Sequence, residues 1–208
     1  MCGRFTLTVS LDTLQQAFQL KNGLCMVPRY NIAPSNFIPV IKAPQLIDFL
    51  QWGLKPKWLE DKNKNGFINA RVETLSEKPA FRESFRKRRC LILADGYFEW
   101  KLLGRTKQPF YIRRKDRSVF AFAGIWEGDS CAIITTAAFS HLSELHARMP
   151  LILPAKAYDT WLNVASKVGS LTLSLLNPLQ SEELEIYPVS TRMNDPSVEG
   201  PECIQSLQ

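Results

Sequence analysis

Between Cys90 and Thr136 the chain is a succession of short apolar runs, each closed by glycine, aspartate or a charged turn. The runs are Cys90 to Ala94, Tyr97 to Leu102, Pro109 to Arg113, Val119 to Ile125 and Cys131 to Thr136. Strands at this spacing favour an antiparallel, barrel-like sheet over alternating β-α units. With 45% hydrophobic and 11% aromatic residues among 208, there is ample material for a packed core. No repeat, low-complexity tract or linker interrupts it, so the expectation is one domain over residues 1–208 without a hinge.

The flanks add shorter elements. Ser10 is a good N-cap for a helix with Leu11, Leu14 and Phe18 on one face and Gly23 beyond its end. Pro28 to Pro34 should be extended, because a residue before proline is pushed out of the helical region. Phe37 to Ile41 and Leu46 to Trp52 read as a hairpin around Ala43-Pro44-Gln45. Phe67 to Glu73 reads as a strand with Asn69, Arg71 and Glu73 on one face. Helices are expected over Ala80 to Arg88, Ser140 to His146 and Ala155 to Leu162, and a last strand over Leu184 to Val189.

Cysteines number five, at positions 2, 25, 90, 131 and 203, without a C-x-x-C pair. Neither a disulfide framework nor a zinc ribbon is indicated, and a reducing cytosol fits best. His141 and His146 do not have the spacing that would put two ligands on one helix face, so no metal or cofactor is expected. There is no signal-like amino terminus and no apolar stretch near the roughly 20 residues that span a bilayer. Net charge is +6, distributed unevenly. Residues 78–89 carry six cations and one anion, residues 101–117 seven and one, and residues 178–208 one cation and six anions. The basic middle fits either a polyanion such as a phosphate backbone or a solvated helix end whose cations complement the dipole.

Chemistry is concentrated in a few residues. Removal of Met1, expected before a residue as small as cysteine, makes Cys2 a terminal 1,2-aminothiol. An ordinary α-amine titrates at roughly 7.7–8.0 and a thiol at roughly 8.5, so both have a reactive fraction near neutrality. Such a pair condenses with an aldehyde to an imine that the thiolate closes into a thiazolidine; the alternative is an ordinary residue at a frayed chain end. Glu99 lies on the strand face opposite Phe98 and Trp100, either as an acid–base group with a raised pKa or as a solvent-facing carboxylate. His146, in His146-Ala147-Arg148-Met149-Pro150, is either a neutral-pH proton carrier or a cap where Pro150 stops a helix. The segment Trp52 to Trp58 interleaves aromatic and basic residues, which suits stacking on single-stranded nucleic acid as well as core packing.

The set Met1 to Phe5, Tyr30 to Pro34, Trp52-Gly53-Leu54, Asn69 to Thr74, Phe98-Glu99-Trp100, Ala121 to Gly124 and His146-x-Arg148-Met149-Pro150 strongly resembles the SOS-response-associated peptidase family, in order and over nearly the whole chain. Two mild departures are the short turn from Trp126 to Cys131 and the reading Tyr97-Phe98-Glu99. The resemblance implies an α+β fold with an antiparallel β-barrel-like core flanked by short helices. It also implies a protein that senses abasic sites in single-stranded DNA and crosslinks to them through Cys2, shielding the lesion in the DNA-damage response. By the same resemblance Cys2 is the nucleophile, Glu99 and His146 move protons and Asn69 holds the sugar. Arg4, Arg71 and Arg148 contact phosphates, and Asn31, Pro34, Trp58 and Thr135 line the DNA path. It implies a monomer in the cytoplasm, associated with the nucleoid when bound to DNA, with lyase-type activity and processing of its own amino terminus. The alternative is an N-terminal-nucleophile cysteine peptidase or amidohydrolase that uses the Cys2 amine as its base.

Overall fold

The runs that alternate with turns become strands, and two sheets organise them. The computed structural model describes residues 2–23, 26–59, 66–164 and 183–207; Cys25 and Met1 lie outside them. The strands are β1 (Arg4–Leu7), β2 (Arg29–Ile32), β3 (Phe37–Ala43), β4 (Leu46–Trp52), β5 (Asn69–Arg71), β6 (Arg89–Ala94) and β7 (Gly96–Leu103). They continue with β8 (Thr106–Arg114), β9 (Phe120–Glu127), β10 (Ser130–Ala137), β11 (Arg148–Pro150), β12 (Ile152–Leu153) and β13 (Leu184–Pro188). The helices are short: α1 (Leu11–Phe18), α2 (Arg82–Lys87) and α3 (Tyr158–Leu162).

One sheet runs β13-β8-β7-β1-β2; the other runs β11-β10-β4-β3-β6-β9-β12, and a further β10–β9 pairing closes β10-β4-β3-β6-β9 into a ring. Most pairings are antiparallel as expected, but β4 and β5 both run parallel to β10. The register explains why: β10 has two long flanks and short partners share them. Residues 130–133 meet β9 and residues 135–137 meet β11 along one flank, while β4 and then β5 take the other. Arg71 and Pro150 therefore pair with Thr135 from opposite sides, with Asn69 and Arg148 two residues earlier on their own strands.

Aromatic rings fill the interior between the sheets. Phe5 sets its edge against Trp52 at 5.2 Å and Phe122 at 5.8 Å, and Tyr97 meets Phe122 at 6.1 Å. Such edge-to-face pairs contribute about 0.5–1.5 kcal/mol each beyond their buried area. On the outer face of β7, Phe98 and Tyr111 pack with Val189, Met193 and Cys203 in a second, smaller core. Between the two, Asp95 accepts from the Thr6 hydroxyl (2.5 Å) and from the amide and hydroxyl of Thr8 (both 2.6 Å), and the Tyr111 hydroxyl lies 2.7 Å from Thr6 Oγ1. Gly96 makes this possible, because a Cβ there would overlap the Tyr111 phenol. The network fixes β1, the strand that carries the amino terminus.

Several local expectations shift. Helix α1 keeps its expected extent, with the Ser10 hydroxyl accepting from the Thr13 amide at 3.2 Å and Gly23 beyond its end, but its terminating residue is Gln19 in the left-handed conformation (φ 52°). Strand β5 stops at Arg71, and Glu73 sits in a 3₁₀ turn over Val72–Thr74. The region before His146 is a 3₁₀ turn over Ser140–Glu144. Pro150 does not stop a helix but lies in β11, an outermost strand of its sheet, where a missing N–H costs no ladder bond. Trp52 is fully buried, its indole N–H donating to the Ile68 carbonyl at 2.8 Å, so only Trp58 of that segment's tryptophans stands in solvent. Among the described residues no helix is long and apolar enough to cross a membrane.

Candidate nucleophile site at the amino terminus

Cys2 enters the core directly ahead of β1 and is 0% exposed. Its thiol lies 3.7 Å from the Arg4 carbonyl, and its own carbonyl accepts from Asn69 Nδ2 at 2.8 Å. Asn69 is held for this by its parallel pairing with Ile133 on β10, and its Oδ1 is buried without a hydrogen-bond partner among the described residues. Burial, and secondly the neighbouring Glu99, push the Cys2 thiol well above the usual thiol range. In this closed form the sulfur is therefore held as a neutral thiol, which differs from the partly ionised thiol expected of an open terminus.

Glu99 points into the protein interior, not into solvent: it is 3% exposed, while Phe98 and Trp100 face the second core. Burial pushes its carboxyl up to about 7, against the pull of the positive amino terminus. A carboxyl that titrates there can take or give a proton near neutral pH. His146 is half-buried, and burial followed by the same terminal charge lowers its pKa. Its Nδ1 accepts the Arg148 amide at 2.9 Å, which in the neutral ring assigns the proton to Nε2.

The residues read as DNA contacts fall into two groups. Trp58 is 58% exposed, Arg71 is exposed and Pro34 is half-buried, all open to a ligand. Arg148, Asn31, Thr135 and Arg4 are already engaged. Arg148 forks onto Glu73 at 2.6 and 3.0 Å and donates to the Thr135 carbonyl at 2.6 Å. Thr135 is fully buried, and its hydroxyl faces the Ala70 carbonyl at 3.5 Å. Arg4 donates to Asn31 Oδ1 at 2.7 Å and to the carbonyls of Met193 (3.0 Å) and Asn194 (3.1 Å). Asn31, 1% exposed, donates to the carbonyls of Met193, Asp195 and Val198. Arg4 and Asn31 thus pin residues 193–198 against β1 and β2, and Asn31 offers no surface in this conformation.

The basic stretch before β6 divides the same way. Arg89 is buried, donating at 2.5 Å to the carbonyls of both Trp161 and Asn163, and Arg88 approaches Glu127 at 3.5 Å. Arg82, Arg86 and Lys87 are exposed. Sequence reasoning missed Glu73 as the partner of Arg148 and missed Tyr97, which stands two residues before Glu99 on the same strand face. Period-two alternation along Gly96 to Trp100 carried the second signal.

A family model for SOS response associated peptidase (SRAP) matches residues 1–196. The chain belongs to the SRAP family. This SRAP chain is 40% identical over 224 residues to abasic site processing protein YoqW of Bacillus subtilis (strain 168), covering 99% of this chain and 100% of that protein. It is 30% identical to abasic site processing protein YedK of Escherichia coli (strain K12), over all of both chains. Abasic site processing protein HMCES of Xenopus tropicalis is 26% identical over all of this chain and 78% of its own length. Among solved structures, a protein from Bacteroides thetaiotaomicron superposes with a TM-score of 0.86 at 26% identity, covering 100% of both chains. The SRAP fold is therefore shared from end to end.

Proposed function

We propose that this SRAP domain processes abasic sites in single-stranded DNA by capturing them covalently at Cys2 once Met1 is removed. The observation that carries the reading is the setting of Cys2: buried, tethered through its carbonyl by Asn69, and next to a carboxyl poised near neutrality. Its relatives' names, abasic site processing proteins, support the substrate class.

The steps follow from the groups present. The free α-amine of Cys2 adds to the C1′ aldehyde of the ring-opened sugar, and loss of water gives an iminium. Glu99 in its acid form donates the proton that lets hydroxide leave as water, and as carboxylate then takes the thiol proton. The C–S bond forms as the C=N π pair returns to nitrogen, completing a thiazolidine. His146, neutral with its proton on Nε2, assists proton transfer in the same steps and in their reversal. Asn69 keeps the cysteine carbonyl fixed, so amine and thiol approach one carbon in a set geometry. Trp58 offers a face for a base to stack on and Arg71 a charge for a phosphate. Arg4 and Arg148 reach phosphates by exchanging their internal partners, and Asn31, Pro34 and Thr135 shape the path behind them. The domain acts as a monomer that shields the lesion during the DNA-damage response.

A second reading takes the family's name literally, with Cys2 as the nucleophile of a peptidase. The two differ in product. An abasic single-stranded oligonucleotide incubated with Met1-free protein and run on a denaturing gel gives a persistent DNA-dependent shift under the covalent reading. A peptidase or a plain DNA binder gives none, and that result overturns the proposal.

A further inference from the structure

Tyr97 occupies the main core in a way that packing alone does not explain. It is 0% exposed, and its hydroxyl meets no hydrogen-bond partner among the described residues. A buried hydroxyl left unpaired costs about 1–3 kcal/mol, so phenylalanine would be the better core residue here. The ring itself is well placed, edge-on to Phe122 and paired across the sheet with Phe5. Alternation along β7 puts Tyr97 and Glu99 on one face, and Tyr97 belongs to the same buried cluster as Cys2. Burial first, and then the neighbouring Cys2 and Glu99, push the phenol well above the usual tyrosine range.

We propose that Tyr97 is a further catalytic residue of this site, its phenol donating a hydrogen bond to the Cys2 sulfur as the thiolate forms and closes the ring. The inference rests on the covalent reading above. The chemistry needs such a donor. Burial and Glu99 both oppose ionisation of the thiol, so a neutral donor beside the sulfur lowers the cost of forming the thiolate. The phenol supplies a neutral O–H that stays protonated throughout and so acts only as a donor. The thiol proton goes to the Glu99 carboxylate, the sulfur lone pair forms the C–S bond, and the C=N π pair passes to nitrogen. Tyr97 finishes as it began.

Tyr97→Phe tests this, because it keeps the ring and removes only the hydroxyl. Both proteins are prepared without Met1, and three quantities are read. Thermal unfolding is expected to be unchanged or to rise, since an unpaired polar group is lost. The pH dependence of Cys2 alkylation by iodoacetamide in the free protein, located by mass on the amino-terminal peptide, is expected to move up by about one pH unit, tenfold in thiolate population. On an abasic oligonucleotide, the borohydride-trappable imine should form at the wild-type rate, while the heat-stable adduct should form about tenfold more slowly or worse, as for a lost hydrogen bond to a charged group. Unchanged alkylation and unchanged ring closure in a stable variant would overturn the inference. So would a defect confined to imine formation, which would place the phenol on Glu99 instead. If the wild-type protein forms no adduct, the covalent reading itself fails, whatever the variant does.

Discussion

Replacing Glu99 by glutamine removes a titratable group from the protein interior while keeping the side chain's shape, and burial sets the sign of the effect. The Glu99 carboxyl is 3% exposed and is pushed by burial from 4.5 up to about 7 in the folded protein. A folded-state value above the ordinary one means that protonated Glu99 favours the native state. That contribution is complete below pH 4.5 and is lost as pH rises through about 7. The cost of burying Glu99 therefore grows as the pH rises from about 5.5 to about 8.5. Glutamine does not titrate. The stability of the wild-type protein relative to Glu99→Gln should therefore fall by about 2 kcal/mol between those two pH values. Urea unfolding of both proteins, with the same amino-terminal residue, at several pH values across this range reads the difference directly. Parallel curves, within about 0.5 kcal/mol throughout, would refute the placement of an ionisable carboxyl in the interior. The same substitution should slow adduct formation roughly 10²–10⁴-fold, the usual contribution of an acid–base group.

The remaining predictions concern the neighbours of Glu99 and the DNA surface. Trp58→Ala should weaken binding to single-stranded oligonucleotides by about 1–3 kcal/mol without changing the unfolding midpoint, whereas Trp52→Ala should lower stability by about 3–5 kcal/mol; fluorescence titration and urea unfolding separate the two. Affinity for intact single-stranded DNA should fall with a linear dependence on log salt, and a slope near zero would count against phosphate contacts by Arg71 and the basic stretch. Asn69→Ala, which releases the Cys2 carbonyl, should reduce the rate of imine trapping by about 10²-fold with little effect on DNA affinity, as stopped borohydride assays would show. Gly96→Ala should cost about 1–3 kcal/mol or more, because the added methyl meets the Tyr111 phenol that buttresses β1.

Much of this molecule is legible in its sequence because its strands are short and sharply punctuated. Cys90 to Ala94, Tyr97 to Leu102 and Cys131 to Thr136 all appear within a residue or two of β6, β7 and β10. The parallel pairings of β4 and β5 with β10 are not legible, since they join segments distant in sequence and leave no local periodicity. β1 hides its pattern because Phe5, Thr6 and Leu7 are all buried, and Thr6 is tolerated only through Asp95. Arg89 looks like part of a solvated run until Trp161 and Asn163 supply the carbonyls that accept its guanidinium. At the site, Cys2 and Glu99 could be singled out from residue chemistry. Tyr97 could not, because its face follows from alternation but its missing partner is a property of packing. The helix expected around Ser140 shrinks to a 3₁₀ turn, whereas Ala155 to Leu162 is helical throughout, a 3₁₀ turn over Ala155–Ala157 running directly into α3. Pro150 lies in the extended backbone of β11, which leaves too few residues after the Ser140 turn to propagate a helix, while Pro154 sits at the N-cap of the later one, where it is tolerated.

The most direct test compares two forms of one protein, with Met1 removed and with the amino terminus blocked by a retained extension. Each is incubated with a single-stranded oligonucleotide carrying one abasic site, heated, and measured by intact mass. The Met1-free form should give a heat-stable species equal to protein plus DNA less one water, mapped to Cys2, and the blocked form should give none. A heat-stable adduct of equal yield from the blocked protein would contradict the aminothiol chemistry, because an amide nitrogen forms no imine.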